Sequence, residues 1–483
     1  MRAPALLLAL LSAVLPSTRA TGEEGSAETI FLNGRFYTAD DQRPWAEAVA
    51  VRGGRFVRVG GTAEVRALAR PGTRLVDLRG RLVLPGLVDA HTHPSLEARY
   101  PYQPWPGFPF AQLRRKLSRF PAPEWVRVRA LADSTRILSA YGFTAFGDGR
   151  TRLDQLGAWE ALIRQGGLHQ HAVLFVPVRV DSGLPAPTRP AQLREELARH
   201  RLPGVGFGAK LFVDGYLQGE TASLEEPYEP PGGGRGSLAT PVAELEREVE
   251  ELDHAGIPMQ LHAIGDHAVR TALDALARAV AARGGRPGPQ HAIIHARLVR
   301  EEDLPRFGRL GVAAVLDAFL AQPSPEDGIT PEIGPERRDE RYLAFRKLVD
   351  AGALVGACSD WPSASMNPFH AMYAAVTRRS PGHPERGTLG PANAVPLERM
   401  IRAYTIDNAR VLGIAGEAGS ITAGKWADLV VLDRDILRRP IEELPDTRVV
   451  ATVFEGRTVY DGSALPWYLA RSEARLLEIG NGR

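Results

Sequence analysis

The feature that most restricts the fold is a rhythm. Between roughly residues 83 and 362, eight short apolar, β-branched runs alternate with helical patterns. The runs are LVLPGLVDAHTH, FTAFGD, HAVLFVPVRV, GFGAKLFVDG, IPMQLHAIGD, QHAIIHARLV, GVAAVLDAFL and ALVGACSDWP. Between them stand segments such as VAELEREVEELDHAG and DHAVRTALDALARAVAARGG, whose apolar residues recur at helical spacing. Eight strands, each followed by a helix, predict an α/β protein built on a (β/α)8 barrel. An open, doubly wound sheet shares the same periodicity and is the structural alternative, because periodicity does not report closure.

The two ends of the chain read differently. TIFLNGRFYTAD, AEAVAVRGGRFVRVG and TRLVDLRGRLVLPG are short alternating runs broken by Asn-Gly, Gly-Gly and Arg-Gly turns, and GSITAGKWADLVVLD and TRVVATVFEGRTVYDG repeat that character near the C-terminus. Chain termini often lie close together, so both ends are expected to pack as one small, discontinuous antiparallel β domain. The expected division is a β domain from residues 27–84 and 413–465, a barrel from 85–412, and a tail from 466–483. Residues 1–20, MRAPALLLALLSAVLPSTRA, place Arg2 before an apolar run and end in Thr-Arg-Ala. This is the pattern of a cleavable secretory signal, and the run is shorter than the roughly 20 apolar residues of a spanning helix. A periplasmic or secreted location is expected.

Charge narrows the partners. Lys+Arg 59 against Asp+Glu 57 becomes 57 against 57 once Arg2 and Arg19 leave with the signal, which gives no electrostatic footprint for nucleic acid or an anionic membrane. A small-molecule substrate is expected, and self-association into a homo-oligomer is open. The sole cysteine, Cys358, has no partner for a disulfide or a thiolate cluster, so any metal must use other ligands.

Polar residues gather where the runs end. His91 and His93 in VDAHTH are two apart on a strand and face the same way, with Cα atoms roughly 6.6 Å apart. Such a pair is either structural or the start of a metal site. His169 and His171 have the same spacing but open their strand, and barrel active sites lie at the carboxyl ends, so that pair reads as structural. His262, His295 and Asp360 repeat the late placement on other strands. His291 shares the face of His295 but lies roughly 13 Å lower by strand rise. Lys210 interrupts GFGAKLFVDG, where an ammonium is costly unless paired or uncharged. It reads as an ion pair with Asp214 or a neighbouring acid, as a Schiff-base lysine, or as a carbamate formed with CO2; the surrounding histidines favour the carbamate.

Taken together, HxH on strand one, Lys on strand four, His on strands five and six and Asp on strand eight resemble the amidohydrolase superfamily. LPGLVDAHTH, AKLFVDG, LHAIGDHAV, SDWP and GSITAGKWADLVVLD are most similar to its family 3 branch of metal-dependent hydrolases, which includes N-substituted formamide deformylases. The resemblance implies a metal barrel with a β-sandwich from both chain ends. It implies that His91 and His93 with Asp360 hold a buried divalent ion, that His262 and His295 hold a more exposed one, and that carboxylated Lys210 bridges them. Zinc suits these ligands first; nickel, manganese and iron accept the same set.

The chain also departs from those relatives. Ile294 stands where they usually carry Glu, Asp317 lies within strand seven ahead of Gln322-Pro323, and the stretch after strand four is unusual at Tyr216, Gln218 and Gly219. The implied reaction is hydrolysis of an amide, formamide or cyclic amide by metal-activated water, with Asp360 as general base. An esterase, lactonase or deaminase needs the same metals, and a non-catalytic exported binding protein is the alternative of another class. Asp89, Asp148, Asp266 and His267 are candidate supporting residues, each with a plain structural reading. Cys358 reads as core filler. Tyr100, Tyr102, Trp105, Phe108 and Phe110 are expected either to wall the substrate pocket or to pack on neighbouring helices.

Overall fold

The computed structural model describes residues 27–95, 123–178, 190–200, 202–284, 286–323 and 332–463. The signal (1–20), the aromatic run from Tyr100 to Phe110 and the tail (466–483) lie outside them. Seven short strands come first: β1 Thr29–Leu32, β2 Arg35–Tyr37, β3 Trp45–Ala46, β4 Ala48–Arg52, β5 Arg55–Gly60, β6 Arg74–Asp77 and β7 Leu82–Pro85. The next eight are β8 Leu87–Thr92, β9 Phe143–Asp148, β10 His171–Pro177, β11 Val205–Phe212, β12 Met259–Ala263, β13 Ala292–His295, β14 Ala313–Asp317 and β15 Leu354–Cys358. The last three are β16 Leu429–Leu432, β17 Val449–Phe454 and β18 Arg457–Tyr460.

Strands β8 to β15 form one parallel sheet in sequence order, each of the eight predicted runs supplying one strand. Parallel strands buried on both faces need continuous apolar runs, and β8, β9 and β14 are buried at every position. The ends of the sheet meet: Asp360 N donates to His91 O (3.0 Å) and His93 N to Trp361 O (2.8 Å). Below them, Asn408 spans the same seam. Its Nδ2 donates to Val88 O (2.6 Å) and Ala357 O (2.7 Å), and its Oδ1 accepts from Ala357 N (3.0 Å). These bonds close the sheet into a barrel and exclude the open sheet. The intervening helices cover it with apolar stripes, such as Leu245, Val249 and Leu252 on Val242–His254. Among the described residues no helix is long and apolar enough to cross a membrane.

The run LVLPGLVDAHTH, expected as one strand, is divided at Gly86, so that β7 joins a different sheet from β8. That six-stranded sheet, in the order β18-β17-β16-β7-β2-β3, unites both chain ends, with β16 antiparallel to β7. A four-stranded sheet, β5-β4-β1-β6, packs against it through Phe31, Phe36, Phe56, Val83, Leu429 and Val431. The sandwich is not wholly antiparallel: β1 with β6 and β2 with β7 run parallel, because each pair is joined by a long connection through other strands rather than a hairpin. The sandwich meets the barrel at the amino end of its strands. His171, which opens β10, lies 3.0 Å from Asp428 and 4.7 Å, ring to ring, from Phe454. The carboxyl ends are thereby left for a site.

Candidate metal centre

At the carboxyl end of β8, the His91 and His93 rings lie 4.7 Å apart, and both turn a nitrogen to one oxygen of Asp360. Asp360 Oδ1 is 3.0 Å from His93 Nε2 and 3.6 Å from His91 Nε2. Asp360 sits two residues beyond β15 with φ of +50°, a left-handed conformation uncommon for a residue with a side chain and typical of positions the surroundings over-determine. His91 Nδ1 meets Gln260 Oε1 at 2.6 Å, and Gln260 is fixed by donating to Ala90 O at 2.8 Å. An amide oxygen only accepts, so Nδ1 carries the hydrogen and Nε2 keeps its lone pair. Burial, and then the charge of Lys210, hold the His91 pKa well below its ordinary value, so the ring is neutral and able to ligate. Gly149 makes room for it: a Cβ there would stand 2.0 Å from His91 Cε1.

His295, ending β13, lies 5.4 Å from His91 and 4.6 Å from His262, ring to ring. His262 Nε2 donates to Gly215 O at 3.1 Å, which leaves Nδ1 as its ligating nitrogen. Burial, then the charges of His295 and Lys210, keep it neutral as well. Lys210 is fully enclosed, and its Nζ has no hydrogen-bond partner among the described residues. The ion pair with Asp214 is not formed: that carboxylate accepts the backbone N–H groups of Ser223 (2.9 Å), Ile264 (3.0 Å) and Gly265 (2.9 Å). Burial brings the Lys210 pKa down to about 7, against the opposing pull of Asp360. For Asp360 burial works the other way, but the His93 hydrogen bond and the field of His295 outweigh it and the carboxyl titrates below its ordinary value.

These residues fit a divalent cation. Among the described residues His91 Nε2 and Lys210 Nζ are buried without hydrogen-bond partners, an arrangement rare in a finished core and expected where ligands await an ion. Among the described residues His91, His93 and Asp360 bring possible ligand atoms within 4.8 Å of one another, and His295 lies in a second, overlapping group with Asp317 and Asp360. Imidazole and carboxylate donors suit zinc and its neighbours in the first transition row.

Residues 110–460 match the amidohydrolase family. The chain belongs to that family. Among curated relatives, the protein LONG AFTER FAR-RED 3 of Arabidopsis thaliana is 23% identical over 541 residues, covering 90% of this chain and 92% of its own. The N-substituted formamide deformylase of Arthrobacter pascens is 23% identical over 546 residues, with 90% and 98% covered. Among solved structures, a metal-dependent hydrolase from Pyrococcus horikoshii OT3 superposes with a TM-score of 0.72 at 20% identity, covering 86% of this chain and 99% of that one. This amidohydrolase is accordingly a metal-dependent hydrolase of carbon–nitrogen bonds.

The amidohydrolase also assigns the neighbouring acids. Asp89 does not orient an imidazole: its Oδ1 accepts from His91 N and Ser359 N, both at 3.2 Å, and so ties β8 to β15. The pairing of β8 with β9 is irregular between Asp89 and Thr92, so strict alternation fails there. Burial raises the pKa of Asp89 to about 7. Asp148 accepts from Ser95 N and Arg150 N (3.2 Å each) and shapes a turn. Asp266 starts its helix, accepting from Glu225 N (2.9 Å) and His267 N (3.0 Å) with Arg341 at 3.6 Å. His267 bonds Ser223 Oγ at 2.8 Å. His291 faces Asp253 at 2.8 Å, away from the centre, and Cys358 is buried. The residues that sequence reading missed are Gln260 and Arg297. Gln260 had a usable signal, a polar residue two before His262 in an otherwise apolar run.

Proposed function

We propose that this amidohydrolase is an exported zinc enzyme that hydrolyses an amide or formamide, with two ions held by His91, His93 and Asp360 and by His262 and His295. The observation that carries the reading is the approach of two imidazole Nε2 atoms to one oxygen of Asp360, at 3.0 and 3.6 Å, beside a buried lysine with no hydrogen-bond partner among the described residues. Lys210 serves as a carbamate: with a pKa of about 7 a substantial share of the amine is neutral near pH 7, its nitrogen bonds the carbon of CO2, and loss of one proton leaves an anion with two oxygen donors. A divalent ion held by these residues would supply two things, a lowered pKa for bound water, towards about 7, and polarisation of the carbonyl to be attacked.

The protein's own groups do the rest. Asp360 accepts the proton of the attacking water and returns it to the departing nitrogen, which makes the amine a competent leaving group. Gln260 holds His91 in one tautomer throughout. Phe212 and Tyr216 flank His262, their rings 5.5 and 5.2 Å away, and Tyr216 is half exposed, so an apolar substituent of the substrate has an aromatic surface to rest on. The deformylase relative makes N-substituted formamides the first substrates to try. The secretory pattern of residues 1–20 supports export.

The test couples metal analysis of the purified protein to a hydrolysis screen of N-formyl and N-acyl amines, with matched esters, in bicarbonate buffer. Zinc with turnover of amides or formamides supports the reading. A protein that takes up no divalent ion, or that cleaves only esters, refutes it.

A further inference from the structure

The ligand set does not account for an acid buried beside it at the end of β14. Asp317 is enclosed, and both its oxygens face His295 Nδ1, at 2.9 and 3.1 Å. Oδ2 also accepts from Arg297 Nε at 2.9 Å, and the Cys358 thiol lies 3.4 Å from Oδ1. Arg297 is itself buried. Two residues of one short segment therefore converge on a single carboxylate.

The backbone explains how. Ile294 packs with Ala90, Val315 and Cys358, and strict strand alternation would send the next side chain to the opposite face. His295 and Ala296 instead adopt left-handed conformations, with φ of +75° and +38°, and this turn delivers His295 and Arg297 together to Asp317. Left-handed backbone at residues bearing Cβ persists only where other contacts hold it, and the carboxylate supplies them.

We infer that Asp317, locked by Arg297, is the positioning residue for His295 and sets the affinity of the ion that His295 shares with His262. An ionised carboxylate only accepts, so it obliges His295 Nδ1 to carry the hydrogen and reserves Nε2 for the cation. Asp317 is close enough to Asp360 and His295 to act as a ligand itself. The guanidinium of Arg297 argues against that role, because it occupies Oδ2 and repels a second cation at the same group. The inference rests on the two-ion reading above.

The test is a zinc titration of the full chain, stripped of metal and competed against a chelator of known affinity. Asp317→Asn keeps the shape but puts an amide where the carboxylate stood. It should bind the first equivalent as the wild type does and the second about 10–100-fold more weakly, the usual consequence of losing a partner behind a metal-bound histidine. If Asp317→Asn does not yield folded protein, Asp317→Glu, which retains the charge but displaces it by one methylene, must show the same selective loss. Wild-type affinity for both equivalents overturns the inference. Equal weakening of both equivalents also overturns it, since that is the behaviour of a purely structural residue. A wild-type chain that takes up a single equivalent refutes the two-ion reading and the inference with it.

Discussion

Asn408 is the residue whose removal should most directly open the barrel. It lies outside the sheet, in the short helix Asn408–Val411, fully buried, and its amide substitutes for ladder bonds between β8 and β15. Gly356 accommodates it, since a Cβ there would come within 2.4 Å of Asn408 Oδ1. Asn408→Ala deletes three bonds, to Val88 O, Ala357 O and Ala357 N. At about 1 kcal/mol net for each bond this costs about 3 kcal/mol, rising to about 5 kcal/mol where the deserted backbone groups stay dry. Asn408→Asp should be worse still, because it sets a carboxylate oxygen against two carbonyl oxygens. The assay is equilibrium urea unfolding of the metal-stripped protein, variants beside wild type. The loss should carry into zinc affinity, since His91 stands on one of the two strands being joined and Asp360 two residues beyond the other. Asn408→Ala within 1 kcal/mol of wild type, with unchanged zinc uptake, would show that the bonds between the ends of the site close the barrel alone, and the reasoning would fail.

Three further outcomes are expected. Asp360→Asn should lower turnover by about 10²-fold to 10⁴-fold, the range for losing a general acid–base, with thermal unfolding near that of wild type; near-normal turnover removes Asp360 from proton transfer. Activity should fall when dissolved CO2 is depleted and return with bicarbonate, and ¹³C-bicarbonate should label one lysine, a signal missing in Lys210→Ala; borohydride trapping of a carbonyl compound on Lys210 would instead point to Schiff-base chemistry. At the sandwich junction, burial lowers the His171 pKa but the Asp428 carboxylate outweighs it, so the net shift is upward. A group whose folded pKa exceeds its unfolded value stabilises fully below about pH 6.5 and loses that contribution as pH rises through the folded pKa. The Tm gap between wild type and His171→Gln should therefore narrow from pH 6 to pH 8, and a gap that widens would contradict the pairing with Asp428.

Much of the barrel was legible because burial on both faces leaves a strand no choice but continuous apolar residues, and the exceptions to that rule stood out. His91, His93, Lys210, His262, His295 and Asp360 are visible as polar residues late in apolar runs, and the structure brings all six to one end of the barrel. Legibility stopped where the regular geometry did. Parity placed Asp89 with His91, but the irregular pairing of β8 turns it to the backbone of β15. Nothing in QHAIIHARLV announces that His295 and Ala296 are left-handed, so the meeting of His295, Arg297 and Asp317 could not be read from spacing.

The sequence by itself determined that eight strands build the barrel, that both chain ends share a second β unit, and which residue types chemistry requires at the strand ends. These follow from local rules, periodicity and the cost of burying charge, that act within a few residues. Tertiary structure alone decided closure, through Asn408 reaching back from beyond the last barrel strand to Val88, 320 positions earlier. It also decided which nitrogen of His91, His262 and His295 stays free, because Gln260, Gly215 and Asp317 reach those rings from other strands and loops, and hydrogen bonds between distant segments leave no trace in local pattern.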